Sequence, residues 1–429
     1  MNKPLILIVT TIVSIIVLAS VIAFSLPDKS TYYHFNGVGL NVIILNSHDS
    51  DIIDFLETCI NNPLNINTIN NINNFINNIE RIIDKTGGIV VILDLRNNNI
   101  NPSEIADVVR ISITNYTPVI LIGNYETILT IVVREETGLA AFAVPKPLNS
   151  SSSFIVEAIV PVKYSFNGRV AAKFIANIGA SMRDQICDTI KKVVIVLQKS
   201  RNYDIFAITP PSDEVPLLGE LDVTYTSSSN YGKINVRDEL YWPYNDGNSD
   251  YNWFLYVFDD QIIPGEALWG NGWRNADLIQ QIDVDKYNYT NFLSEYDPST
   301  YIGSSVYTVT VEIGLETGVD RDGASVGGSL TVGFSWSYEK PDIVIHDRSD
   351  YDLELAKWWN DIDEAKGVGA DTVRLKPGAL IRLPQKPGTY LWESIYLGQW
   401  AKQNCILFWC SWEFSGYEGV AVTWGVVGT

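Results

Sequence analysis

Histidine is scarce. His34, His48 and His346 are the only three in 429 residues, and none has a partner at metal-ligand spacing. Zinc held by imidazoles is therefore not expected, and a hydrolase built on this chain has to rely on carboxylates. Cysteine is also sparse. Cys59, Cys187, Cys405 and Cys410 include no CxxC pair, which argues against a thiolate metal site. Positive charge is in deficit: 30 Lys and Arg stand against 50 Asp and Glu, a net charge of −20. Without a basic stripe the chain has no footprint for nucleic acid, and an anionic lipid surface is a poor partner. Glycine-rich phosphate loops of either common form are missing, and no cofactor is expected.

Charge is absent altogether from residues 5–26, LILIVTTIVSIIVLASVIAFSL. A membrane-crossing helix needs about 20 apolar residues, and a secretory apolar core is usually shorter, about 7–15. Lys3 precedes the run and Asp28 follows it. The expectation is a single-pass anchor over residues 1–27, with the bulk of the chain extracytoplasmic. A long cleaved signal is the alternative, and Ala19, Ser20, Ala23 and Ser25 offer small residues for it. Asn115, Asn149 and Asn288 each open an N-glycosylation triplet.

Tryptophan is missing from the first half; all 12 lie at or beyond Trp242. Residues 1–200 carry a net charge of −1 and residues 201–429 one of −19. Two regimes of composition suggest two domains after a linker at 28–38. These are an α/β domain at 39–200 and, past a Pro-containing linker at 201–216, an acidic Trp-rich β-sandwich at 217–429.

In the first domain, short apolar runs at 39–46, 88–96 and 118–124 read as buried strands. Helical spacing follows at 49–60, 102–115 and 125–136, and again at 176–197. Residues 139–172 look strand-rich. An Ile stripe from Ile66 to Ile83 is helical in period, although its Asn content is poor for a helix and a partly disordered tract is the alternative. Strands alternating with helices imply a doubly wound, mostly parallel sheet. Asp49, Asp51 and Asp94 fall at strand ends, where an acidic pocket would form; helix caps and turns explain them as well.

Beyond residue 216 the period changes to two, in short aromatic runs punctuated by Gly, Asp, Asn and Pro, which is the pattern of an antiparallel sandwich. Residues 352–365 read as one helix. Cys405 and Cys410 sit in NCILFWC, which reads as a strand. Five residues along a strand is about 16 Å, so they pair only if the chain turns between them; Cys59 with Cys187 is the other option, and four buried unpaired thiols the third.

Asp259, Asp260 and Glu266 lie near Trp253 and Trp269, acids beside aromatics as in a sugar-binding site. A carboxylate hydrolase would use the same acids. Gly323-Ala-Ser-Val-Gly327 matches a nucleophile-elbow pattern but leads into a strand, not a helix, and is rejected. Asp-rich loops at 246–250, 283–285 and 320–322 lack EF-hand spacing and read as solvated turns.

The sharpest alternation is at 305–338. Tyr307, Val309, Val311 and Ile313, then Leu330, Val332, Phe334 and Trp336, alternate with small or polar residues around a charged turn. Lipid-facing apolar and lumen-facing polar positions alternate in this way in a transmembrane barrel hairpin; a sandwich hairpin with one buried face shows the same alternation. The stretch SEYDPST…VTVEIGLETG…GASVGGSLTVGFSWSY…KWWNDI (294–362) resembles leukocidin/hemolysin-type β-pore-forming proteins. That resemblance implies a folded sandwich that releases a hairpin, here strands 305–316 and 325–338, into a shared barrel. The leading expectation from the whole sequence remains an anchored, non-enzymatic surface protein that binds carbohydrate or protein or assembles at the cell surface. Pore formation is the alternative and carboxylate hydrolysis the third.

Overall fold

The computed structural model describes residues 41–45, 50–59, 65–69, 89–96, 101–148, 154–166, 169–179, 181–202, 215–243, 250–302, 307–314, 331–338, 342–406 and 409–428. The chain opens with β1 (Asn41–Leu45), α1 (Ser50–Cys59), β2 (Asn65–Ile69), β3 (Ile89–Asp94), α2 (Pro102–Thr114), β4 (Val119–Gly123) and α3 (Tyr125–Val132). Next come β5 (Ala141–Leu148), β6 (Ile155–Phe166), β7 (Arg169–Ile178), α4 (Met182–Asn202), β8 (Leu217–Thr226), β9 (Gly232–Tyr241), β10 (Tyr251–Phe258) and β11 (Asp260–Pro264). They are followed by α5 (Gly265–Trp269), β12 (Trp273–Asp283), β13 (Phe292–Asp297), β14 (Tyr301–Ile302), β15 (Tyr307–Gly314), β16 (Thr331–Tyr338), β17 (Ile343–Asp347) and β18 (Leu355–Ile362). The last elements are α6 (Gly367–Ala370), β19 (Val373–Leu375), β20 (Gly378–Pro384), β21 (Gly388–Ile406), β22 (Trp409–Phe414) and β23 (Glu418–Gly428).

Among the described residues, most strands join two large sheets. The first runs β13-β20-β10-β9-β8-β7-β6-β4-β3-β1-β2, with β11 and β19 attached beside β9. The second runs β14-β17-β18-β12-β21-β23-β5, with β22 on β21. Alternate residues explain the layering. Ile43 and Leu45 of β1 enter the large core that also holds Trp358, Trp392, Trp400 and Trp424 from the second sheet. Val42 and Ile44 face the other way, into a second core under α1 and α4 with Ile52, Leu56, Ile186 and Ile190. The apolar runs of β1, β3 and β4 are continuous because both of their faces are covered.

Local chemistry sets the helix starts. Asn101 caps α2 through Ser103 N at 3.1 Å, with Pro102 just inside. Asn124 caps α3 through Thr127 N at 2.8 Å. Asp94, at the end of β3, is held by Arg96 at 2.7 Å and so is part of an ion pair.

The structure corrects several expectations. A separate doubly wound α/β domain is not supported. β2, β1, β3 and β4 are parallel, but β4 continues into antiparallel β6 and β7, and β7 pairs in parallel with β8. The ladder runs from the first half into the sandwich without a break, and the molecule is mostly β. β5, from the first half, is the edge partner of β23 in the second sheet.

The single-pass anchor is also corrected: among the described residues no helix is long and apolar enough to cross a membrane. Residues 5–26, on which it rested, lie outside them. Residues 352–365 are not a helix. Ala356, Trp358, Asn360 and Ile362 are buried at every second position, so β18 forms there. β2 takes Asn65–Ile69 out of the expected Ile-stripe helix, and the remainder of that stripe, 70–83, lies outside the described residues. Ile178 closes β7 and is not in the helix expected at 176–197.

Both disulfides are closed, Cys59–Cys187 with Cα atoms 5.2 Å apart and Cys405–Cys410 with 4.1 Å. The second forms because β21 and β22 are an antiparallel pair that places Cys405 opposite Cys410. The single strand read from the sequence is two.

Candidate functional site

One pair of strands belongs to neither large sheet. β15 and β16 form a two-stranded sheet of their own. Their composition explains why they are strands: Val, Thr, Tyr, Ile, Phe and Trp favour extended, laterally paired backbone. The register sorts them by polarity. Tyr307 pairs with Tyr338, Val309 with Trp336, Val311 with Phe334 and Ile313 with Val332. Between these lie Thr308–Ser337, Thr310–Ser335, Glu312–Gly333 and Gly314–Thr331. Directly paired residues of an antiparallel ladder share a face, so the register matches every apolar residue with an apolar one. Leu330 and the turn lie outside the described residues.

The placement of this hairpin in the chain follows from its roots. β14 precedes it and β17 follows it, and these two pair with each other, Tyr301 with Ile345 and Ile302 with Val344. The hairpin is thus an excursion from a closed base in the second sheet. β15 lies beside β13 and β20 at the margin of the first sheet, but no ladder joins them among the described residues.

The acids and tryptophans of the expected cluster each have partners of their own. Asp259 is held by Arg374 and by Lys376, the latter at 3.0 Å. Asp260 is fully buried between the sheets, accepting from Gln280 Nε2 at 2.7 Å and Arg237 N at 3.2 Å. Glu266 is on α5, 3.7 Å from Arg274. Trp253 is buried on β10, with the Arg382 guanidinium 5.8 Å from its ring. Trp269 is exposed on α5 beneath Lys233. Groups of three or more metal-ligating side chains are absent among the described residues.

The sequence reading missed a buried polar junction between the sheets. Asp238 of β9 receives the hydroxyls of Tyr256, at 2.5 Å, and Tyr396. Those two oxygens are 2.9 Å apart, and Ser394 Oγ lies 3.1 Å from the first and 2.9 Å from the second. Asp260, Gln280 and Asn360 extend the junction, with Asn360 Nδ2 donating to Gln280 Oε1 at 3.1 Å. Burial pushes the Asp238 carboxyl up to about 7, against the pull of the two tyrosine hydroxyls. Burial and the neighbouring Asp238 charge raise Asp260 well above the carboxylate range. The signal in sequence was an acid at a core-facing position of an alternating strand, Asp238 in GKINVRDELY.

Comparison with known proteins finds no matching family model and no matching curated protein. Among solved structures the chain is similar to Clostridium perfringens delta-toxin, with 10% identity over 49% of this chain and 89% of that one, at a TM-score of 0.34. It is similar to a structure titled pore forming protein, with 12% identity over 48% of this chain and 90% of that one, at a TM-score of 0.29. It is also similar to the Clostridium perfringens NetB toxin in the membrane-inserted form, with 11% identity over 50% of this chain and 97% of that one, at a TM-score of 0.27. The leukocidin/hemolysin resemblance is thus met again as a partial likeness over about half of the chain.

Proposed function

We propose that the chain is a β-pore-forming protein in which the β15–β16 hairpin leaves the body and joins hairpins of other copies in a transmembrane barrel. The observation that carries this reading is the hairpin's isolation together with its register: a two-stranded sheet outside both large sheets, with apolar residues paired only with apolar ones. Among the described residues no ladder joins the hairpin to the body, so its departure breaks none of the described backbone pairing. The β14–β17 pair keeps the base closed behind it. Each described strand has eight residues, and the alternation continues by sequence over 305–316 and 325–338, which reaches the roughly 9–11 residues a tilted membrane-crossing strand needs. Tyr307, Val309, Val311, Ile313, Val332, Phe334 and Trp336 would meet lipid, with Leu330 continuing the series by sequence; Thr308, Thr310, Ser335 and Ser337 would meet the lumen. The anchored carbohydrate- or protein-binding reading gives way to this one, because its acids and tryptophans have separate partners.

The test is dye release from phosphatidylcholine vesicles by the full chain. Val311→Arg and Phe334→Arg put a charge at mid-membrane, where it costs about 2–4 kcal/mol per hairpin, and release is expected to be lost. Thr310→Lys, on the polar face, is expected to keep release and to shift the channel toward anions. Vesicles that stay sealed to the unmodified chain overturn the reading, as does Val311→Arg releasing dye normally.

A further inference from the structure

We propose that Asn288 is an N-glycosylation site that takes its glycan from a lipid-linked oligosaccharide. The inference goes beyond the reading above and does not need β15–β16 to leave the body. The sequence holds three acceptor triplets, opened by Asn115, Asn149 and Asn288. Asn149 lies outside the described residues, and the structure separates the other two. Asn288 stands in the loop between β12 and β13. Its Oδ1 accepts from Leu391 N at 2.8 Å, and its Nδ2 has no partner among the described residues. Thr290, whose hydroxyl completes the triplet, is exposed. Fully buried Asn291 holds the loop from within, its Nδ2 donating to Val284 O at 3.1 Å and to Leu391 O at 3.0 Å. The body thus engages the carbonyl end of the Asn288 amide and leaves free the nitrogen that takes sugar.

Asn115 is the contrast. Its Nδ2 already donates to Ile111 O at 2.7 Å at the end of α2. Thr117 is 4% exposed, and its hydroxyl donates back to Asn115 O at 3.4 Å. A sugar on that nitrogen competes with the helix end, whereas on Asn288 it displaces nothing.

Two further observations point to a sugar at Asn288. Tyr287 and Tyr289 flank it and are two of the eight large apolar residues exposed among those described, at 42% and 87%. Their rings offer the apolar C–H face of the first sugars an area to cover, and removing that area from water is favourable. Both disulfides are closed, which suits the oxidising compartments of exported chains, where such triplets act as acceptors on surface loops. The transfer forms a bond from Asn288 Nδ2 to the anomeric carbon of the first sugar. The bond from that carbon to the lipid pyrophosphate breaks, the pyrophosphate keeps the electron pair, and the nitrogen gives up one proton.

The test is intact mass and peptide mapping of the full chain secreted by cells that make lipid-linked oligosaccharide. Every protein in the comparison carries Asn149→Gln, so that triplet is silent. One glycan is expected. It is expected to vanish in Asn288→Gln and in Thr290→Val, to be kept in Thr290→Ser, and to be kept in Asn115→Gln. Tetranitromethane, which nitrates accessible tyrosines, is expected to modify Tyr289 in Asn288→Gln and to spare it in the glycosylated chain. A chain without sugar overturns the site, as does an Asn288→Gln protein with the full sugar mass of its parent. Sugar on Asn115 overturns the distinction between the two triplets. Equal nitration of Tyr289 with and without the glycan overturns the covering of its ring.

Discussion

A buried carboxyl is expensive when ionised, and among the described residues Glu157, Asp238 and Asp260 are wholly inaccessible to solvent. Glu157 is fully buried with neither carboxylate oxygen hydrogen-bonded, and burial raises it well above its ordinary value. Asp238 and Asp260 sit together between the sheets. For Asp238 the sign is set by an unfolded value of 3.8 and a folded value of about 7. The folded state holds the proton that the unfolded state gives up. Stability from this group is therefore complete below the unfolded value and is lost as pH rises through 7. Asp260 and Glu157 act with the same sign. The slope for one proton is about 1.4 kcal/mol per pH unit. Urea midpoints measured from pH 4 to 8 should fall with pH in the unmodified protein, and Asp238→Asn should flatten that fall. An unmodified protein whose midpoint stays level over this range would remove the account.

At the scale of elements, the two disulfides should separate in their effects. Cys59–Cys187 ties α1 to α4 across a sequence separation of 128, beside the core formed by Ile52, Leu56, Ile186 and Ile190. Long loops lose the most unfolded-state entropy when closed, and removal of such a bond typically costs 2–5 kcal/mol, so Cys59→Ser with Cys187→Ser should lower the denaturation midpoint by about that much. The Cys405–Cys410 bond spans five residues of an exposed hairpin, and its removal should leave the midpoint of the body nearly unchanged. Equal losses from both pairs would contradict the placement. What the sequence disclosed of these elements follows the strength of the local signal. β1, β3 and β4 were legible as apolar runs, and α2 and α3 as amphipathic periods; their Asn caps were not read. The β15–β16 alternation was legible down to its pairing classes. β18 was not, because LELAKWWNDID meets a helical and a strand period about equally well, and only packing of Trp358 and Ile362 on the core decides it. The pairing of Cys405 with Cys410 was hidden because ILFW contains no turn-forming residue to signal it. The Asp238–Tyr396 junction was hidden because its members are 158 residues apart.

For the whole molecule, the composition break near residue 201 is not a break in the sheet. β7 is the last strand of the first half and β8 the first of the second, yet they are parallel neighbours from Ala172–Gly219 to Ile178–Tyr225. β23, near the end of the chain, pairs with β5 from Gly419–Leu148 to Val426–Ala141. Phe142 of β5 presses on Gly425, where an added Cβ would stand 2.2 Å from its ring. The large core draws on both halves, from Ile43 and Leu121 to Trp400 and Val426. A fragment of residues 217–429 would therefore expose one edge of β8 and one edge of β23 and lose the apolar residues that cover them. Unpaired edges and an uncovered core face favour association over a unique fold. All 12 tryptophans report on the second half, whereas far-UV circular dichroism reports on the whole chain. In the intact protein the two signals should melt together, as one cooperative unit requires. The fragment should show no sharp transition of its own. Two separate transitions in the intact chain, with the later one reproduced by the isolated fragment, would restore the two-domain division suggested by charge and tryptophan content.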